Sequence, residues 1–588
     1  MSKKIERWIK SDIVIYIIMC IAVYLIAIPF FDFRTFSNTD EFTSLAVPAY
    51  LAGKDWSEVA RLSGFHGFGF TIIMTPIFAL CTDASSAYMY TLFASLLVRA
   101  LSGFFMFKIL LKHINLSRTY SICVSVIYII STMAPDDSSV LSAMTEIPLG
   151  FIVMLAAYLV LENISGSTKK KMYSVIIGVL LAYSYTLHSR CIVIWLCFAC
   201  LYLLYLWLYR DSFISVVHFL IGFLVTIALC LGLTNWIKDC IYLVGEDIAL
   251  DNDPSTVAVS ASYLVYRLFE WESLKQILLT FASLLVTVFL VSGGAAILSL
   301  SQGFDILGRM FKLGRKAEIA DRKKIFLAIW GWGCVLLINF MISITSVNLV
   351  MVDADVRWLT YIRYCKPFLG CVFILAVLFI EEEKVRIGKV IAFLSGTYLL
   401  IYYYWYHVFE QSYGVEYSIL NRIFYDGMDI DAYFRTFFSV VVAFIFVICL
   451  ALIHKKKIWV YGLLLVFSIV VAQQHTEFYI ENNDRNMAKI NRSVLGARRL
   501  QEAGYEVYGD PNAVAYNFRL QFAMYETTLN IKEIDDLDLK KTAVFTDEYM
   551  PEYLKGTRCI ILDKGEYIYT LNQDILELFE DKEIRWTS

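Results

Sequence analysis

The stretch SDIVIYIIMCIAVYLIAIPFFDFRTFSNTDEFTSLAVPAY, residues 11–50, sets the frame for the whole chain. Its first half is an apolar run of about 20 residues, the length that crosses a bilayer core. The basic MSKKIERWIK precedes it, and it ends in FDFRTF rather than in a small-residue cleavage site. It therefore reads as a retained first helix, not a cleaved signal peptide. Asp40 and Glu41 follow at once, side by side, at the head of an amphipathic segment. Ionisable groups at a membrane are costly and tend to be functional. Neighbours on a helix point about 100° apart, so the two carboxylates cannot aim at one atom. One suits a base while the other organises its surroundings, and a helix N-cap at Thr39 or Asp40 accounts for the same residues.

Composition carries this reading through the chain. Of 588 residues 59% are hydrophobic and 18% charged, where a soluble domain sits near half and a quarter. The bilayer is therefore a partner. The net charge of −3 points to no other, and no basic stripe supports nucleic acid. Thirteen cysteines lie mostly inside apolar runs, with no two CxxC pairs at zinc spacing. They read as small buried hydrophobes, and no metal-ligand set emerges.

Apolar runs fall near residues 12–31, 87–110, 119–134, 146–162, 173–189, 191–209, 213–235, 273–299, 325–346, 367–381, 388–407, 434–453 and 458–474, about thirteen spans. FTIIMTPIFAL, residues 70–80, is too short to cross and reads as interfacial or re-entrant. Alternate connections are basic, from Lys112 and Arg118 through Lys169–Lys171, Arg210, the cluster Arg309–Lys324 and Lys384–Lys389 to Lys455–Lys457. The others hold NTDE, APDDSS, GEDIALDNDP and VDADV, all acidic. By the positive-inside rule the N-terminus is cytoplasmic, and the odd count puts the C-terminus outside.

The expected architecture is an α-helical polytopic membrane protein with a C-terminal extracytoplasmic α/β domain. Residues 1–475 form the transmembrane domain, with a first outer loop at 32–86, and residues 476–588 form the small domain. In that tail MAKINRSVLGARRLQEAG reads as a helix ended by Gly504, YEVYG, TAVFT and RCIILD as strands, and DPNAVAYNFRLQFAMYE as a helix. Strand–helix alternation predicts a mainly parallel sheet, and no Gly-rich phosphate loop follows a strand.

The chemistry-bearing residues all fall on the predicted outer side. They are Asp40 and Glu41; His66 in FHGFGF; Glu146 in MTEIPLGF; His188 and Arg190 in LHSR; and Asp353, Asp355, Arg357 and Arg363 in VDADVRWLTYIRYCKPF. Each has a plainer role open to it. Glu146 suits the first turn of a helix, where an acid complements the dipole. Arg190 suits an interfacial charge, the D-x-D pair a solvated loop, and His66 a turn. Together they suit transfer of a group away from a phosphate, a base taking the acceptor's proton and cations receiving the leaving anion.

Five of these stretches, in this order, resemble motifs of the membrane-embedded C-type (GT-C fold) glycosyltransferases, which include the protein O-mannosyltransferases and the bacterial aminoarabinose transferases. TDE matches the acidic pair after the first helix, and FHGFGFTIIMTP the aromatic–glycine segment behind it. TEIPLGF resembles the acidic-x-Pro entrance to the fourth helix, HSR the arginine after the fifth, and RYCKPF an RY-x-x-P segment. The resemblance covers residues 1 to about 380 and departs most in the last third. It implies a GT-C-like fold and an inverting transferase whose base is Asp40, and it leaves open whether a divalent metal is needed.

The function expected from the sequence is transfer of a sugar from a polyprenyl-phosphate donor to a glycan, lipid or protein acceptor at the outer face of the cell membrane. Asp40 is the base and Glu41 positions it or the acceptor. Arg190 and Arg363 are the donor-phosphate ligands, and His66, Glu146, His188 and Arg357 bind substrate. Two rivals remain: a transporter or flippase of lipid-linked sugars, which would show inverted repeats and charges at the bilayer midplane, and an O-antigen-type ligase or polymerase. The latter would place key Arg and His in one large late outer loop, where residues 408–433 offer Arg422 and the adjacent His407.

Overall fold

The computed structural model describes residues 11–31, 35–36, 39–65, 67–133, 142–242, 266–292, 294–347, 363–381, 455–473 and 476–587. His66, Asp353, Asp355, Arg357 and the expected spans at 388–407 and 434–453 lie outside them.

The apolar runs form helices. In chain order they are α1 (Asp12–Ala27), α2 (Thr39–Leu51), α3 (Ala84–Lys112), α4 (Arg118–Ser131), α5 (Glu146–Ile164), α6 (Lys170–Leu187), α7 (Ile192–Tyr209) and α8 (Val216–Ile237). They continue as α9 (Trp271–Val291), α10 (Ala295–Leu313), α11 (Ile319–Thr345), α12 (Leu369–Glu381) and α13 (Lys457–Gln473). Among the described residues seven helices are long and apolar enough to cross a membrane, and four shorter apolar helices accompany them. Their outward faces are apolar too, with Leu203, Val217, Leu224 and Leu229 all more than half exposed. The protein is a polytopic helical membrane protein. Two helices press together backbone to backbone: a Cβ on Gly178 of α6 would stand 2.4 Å from the Phe219 carbonyl, and one on Gly222 of α8 2.4 Å from that of Val175. Small residues permit this approach where no hydrophobic force drives helices together in lipid.

One expected span divides. The run at 273–299 breaks after Val291, and α10 starts at Ala295. Gly294 at the break has φ +76, a left-handed conformation that costs glycine nothing. The basic stretch that follows is thus helical as far as Leu313 rather than a loop.

The two ends of the bundle differ in chemistry. α5 runs from Glu146 to the region of Glu162, 16 residues and roughly 24 Å along the axis. Glu162 meets Lys112 at 2.6 Å and His113 at 3.0 Å. Burial and the neighbouring Lys323 and Lys112 push His113 down to about 4. At the same end Lys457 of α13 pairs with Glu381 at the close of α12, and Arg322 of α11 lies 3.4 Å from Asp211. Lysines and arginines gather here, at the opposite end from Glu146.

The tail forms α14 (Thr476–Glu502), α15 (Val514–Met524), a short α16 (Gln573–Leu578) and six strands. These are β1 (Val507–Gly509), β2 (Asn530–Ile531), β3 (Ala543–Thr546), β4 (Arg558–Asp563), β5 (Glu566–Thr570) and β6 (Glu583–Trp586), in the order β2-β1-β3-β5-β4-β6. The sheet is mixed, not mainly parallel: β1 pairs parallel with β2 and β3, while β3–β5, β4–β5 and β4–β6 are antiparallel. The cause is local. Only Lys564 and Gly565 separate β4 from β5, and a two-residue link can join only antiparallel neighbours.

Candidate active site

Asp40 lies in the first turn of α2, a helix that begins at Thr39, so it is a first-turn acid rather than the residue ahead of the helix. Glu146 opens α5. Arg363 opens a 3-10 turn, Arg363–Phe368, that leads into α12. Three elements far apart in sequence therefore deliver two carboxylates and one guanidinium to one place. Arg363 Nη1 donates to Asp40 Oδ2 at 2.9 Å and Nε to Glu146 Oε1 at 2.6 Å, while Nη2 lies 3.9 Å from Met144 Sδ. Charged partners make such bonds roughly twice as strong as neutral ones. The side chains of Arg363 and Glu146 are 6% and 10% exposed, that of Asp40 25%. Asp40 is thus the member of the cluster that an incoming group can reach.

Glu41 turns the other way, as the helical offset requires. It is wholly buried. Its Oε2 accepts from the Tyr88 hydroxyl at 2.7 Å and from the Ala143 backbone N–H at 2.8 Å. Ala143 lies three residues before Glu146, so neighbouring acids grip the same segment twice. Glu41 holds its backbone, and Asp40 reaches Glu146 through Arg363. A carboxylate so enclosed cannot touch a substrate.

Arg190 stands next to this cluster. Its guanidinium lies 4.3 Å above the Tyr364 ring, and Arg363 lies 5.5 Å from the same ring. Stacking on an aromatic face suits a weakly hydrated guanidinium. Arg190 Nη1 is buried and has no hydrogen-bond partner among the described residues, and the same holds for Glu146 Oε2. His188 packs edge-on to Tyr364 at 5.6 Å, and its Nδ1 accepts from the Arg190 backbone N–H at 3.1 Å.

Residues 67–70 buttress this corner. The N–H groups of Phe68 and Gly69 both donate to the Thr186 carbonyl at 2.9 Å, at the end of α6 just before His188. Gly67 has φ +98, and a Cβ there would sit 2.2 Å from the Leu187 carbonyl oxygen. Only glycine lets the loop lie this close.

Arg190, His188 and Arg363 therefore gather around Tyr364, Asp40 and Glu146 join them through Arg363, and Glu41 stands behind Asp40. Reading by charge and motif passed over Tyr364, Tyr88 and the Ala143 backbone. Tyr364 could have been found from its place inside RYCKPF; nothing in the sequence marks the other two. Among the described residues no group of three or more His, Cys, Asp or Glu side chains is placed to hold a metal ion.

No family model and no curated protein matches the chain. Among solved structures it is similar to ArnT from Cupriavidus metallidurans bound to undecaprenyl phosphate, at 14% identity over 95% of this chain and 97% of that one, with a TM-score of 0.49. It is also similar to the archaeal oligosaccharyltransferase AglB from Archaeoglobus fulgidus in complex with an inhibitory peptide and a dolichol-phosphate. There the identity is 11% over 97% of this chain and 75% of that one, and the TM-score is 0.41. Similarity of this degree is a likeness of outline, and the chemistry has to come from the side chains.

Proposed function

We propose that the protein is a membrane glycosyltransferase that moves a sugar from a polyprenyl-phosphate donor to an acceptor hydroxyl. One observation carries the reading. A reachable carboxylate, Asp40, is fixed by Arg363 beside a second guanidinium, Arg190, whose buried Nη1 has no partner among the described residues. A base next to an anion seat is what this displacement needs. The acceptor oxygen attacks the anomeric carbon and its proton passes to Asp40. The bond from that carbon to the phosphate oxygen breaks, the electron pair leaves with the polyprenyl phosphate, and Arg190 receives the charge. Attack from the face opposite the leaving group inverts the anomeric centre.

Arg363 has a different part in this scheme. Its N–H groups are already turned to Asp40, Glu146 and Met144, so it positions the base more than it binds the phosphate. Glu41 positions the loop that carries Glu146.

The reaction belongs to the outer face. Two features support this: the tail packs on α2 through Phe518 and Phe42, and Lys112, Arg322 and Lys457 gather at the other end of the bundle. Basic residues favour the cytoplasmic side. The N-terminus is then cytoplasmic, and the cell envelope supplies the acceptor.

The test is transfer by the purified protein from a polyprenyl-phosphate sugar, with wild type and Arg190→Lys compared. Lysine keeps the charge but not the planar fork. The donor KM should rise about tenfold with acceptor KM unchanged. An unchanged donor KM removes Arg190 from the phosphate seat. Movement of the lipid-linked sugar across proteoliposomes without transfer would favour the flippase.

A further inference from the structure

The C-terminal domain lies against the helix that carries Asp40 through a cluster of rings. Phe42, two residues after Asp40, is sandwiched. Phe518 of α15 stacks on it at 4.7 Å with planes 15° apart, and Trp56 stacks on its other side at 5.4 Å and 5°. One turn further along α15, Phe522 sets its edge against Phe36 at 5.4 Å and its ring against Tyr88 at 6.0 Å. All these rings are at most 2% exposed. Hydrogen bonds fix the register: Trp56 Nε1 donates to the Tyr525 carbonyl at 3.0 Å and the Tyr525 hydroxyl to the Phe78 carbonyl at 3.0 Å. Arg61 Nη2 donates to the Ile531 carbonyl at 2.8 Å.

This contact reaches the carboxylates by two short routes. Phe518 holds Phe42, the neighbour of Glu41 on α2. Phe522 holds Tyr88, whose hydroxyl holds Glu41, which in turn holds the Ala143 backbone ahead of Glu146. α2 is a helix of only 13 residues, and its residues Glu41 to Ala49 are all buried.

We infer that the C-terminal domain is a positioning element of the active site: Phe518 and Phe522 hold α2 so that Asp40 stands where the acceptor proton must be taken. Phe518 touches no reacting atom in this scheme and acts through Phe42. The inference rests on the reading of Asp40 as the base. A displacement of about 1 Å produced far from the reacting atoms can cost on the order of 10²-fold in rate. A ring removed from this stack has that scale of effect open to it.

Phe518→Leu keeps an apolar side chain of similar bulk and removes the stacked ring, so the full-length protein should still fold. Transfer from a polyprenyl-phosphate sugar should show kcat lowered at least tenfold and donor KM within about twofold of wild type. Wild-type kcat, or a loss confined to donor KM, overturns the inference. A second readout needs no transfer. In Asp40→Cys the rate of alkylation at position 40, followed by mass spectrometry of that peptide, should rise severalfold when Phe518→Leu is added. Equal rates with and without Phe518→Leu overturn the inference even if the wild type proves not to transfer sugar. That second result would instead remove the reading of Asp40 as a base. Phe522→Leu should show both effects, and wild-type behaviour there refutes the route through Tyr88.

Discussion

Replacing Arg363 with methionine removes the guanidinium that two carboxylates share. Glu146 is 10% exposed and loses a 2.6 Å bond; Asp40 is 25% exposed and loses one of 2.9 Å. Breaking a buried pair by deleting one partner costs about 3–5 kcal/mol, because a charge is left without compensation. Most of that cost belongs to Glu146, since water reaches Asp40. Arg363→Met should therefore lower stability by about 3–4 kcal/mol. Adding Glu146→Gln removes the more buried stranded charge, and the double variant should recover about 2 kcal/mol of the loss. Adding Asp40→Asn instead should recover less than 1 kcal/mol, the worth of a partly exposed pair. Unfolding of the purified protein in mixed micelles, with SDS fraction as the denaturant, reads all three values. An Arg363→Met cost below about 1 kcal/mol, or equal recovery from the two second-site changes, would refute the argument that burial sets the balance of this cluster.

Two further outcomes test other parts of the account. Gly67→Ala meets the Leu187 carbonyl at 2.2 Å in a left-handed conformation, and should cost more than about 2 kcal/mol and shift the corner that holds His188 and Arg190; the same unfolding assay checks it, and a neutral result means the loop does not lie against the end of α6. A cysteine at exposed Lys541 in the tail should react with a membrane-impermeant thiol reagent on intact cells, whereas labelling only after lysis would place the tail and the Asp40 helix inside.

Much of this architecture was legible because its signals are local. Helix after helix follows the apolar runs within a few residues, and the strands at Val507–Gly509, Ala543–Thr546 and Arg558–Asp563 fall inside YEVYG, TAVFT and RCIILD. The misses are local too. A left-handed glycine at 294 split one span, and a two-residue turn made β5 antiparallel to β4. The candidate site is legible in its charges, since Asp40, Glu146, Arg190 and Arg363 each stand out in the sequence, and in the divergence of Asp40 from Glu41, which the 100° offset requires. Its wiring was not. That Arg363 would face two carboxylates, that Glu41 would grip Tyr88 and Ala143, and that Phe518 would stack on Phe42 are contacts across 47 to several hundred residues, and no periodicity records them.

The measurement closest to the centre is the turnover of Asp40→Asn. A hydroxyl is a poor nucleophile at neutral pH, and a base within reach of its proton is worth about 10²–10⁴ in rate. Asparagine has nearly the shape of aspartate and its amide oxygen can still accept from Arg363, and loss of the first-turn charge costs only about 0.3–1 kcal/mol. The protein should fold, bind a polyprenyl-phosphate sugar with near wild-type affinity, and lose about 10²–10⁴ in kcat. Turnover within a few-fold of wild type would contradict the account, reduce Asp40 to a partner of Arg363, and bring the transport of lipid-linked sugars forward.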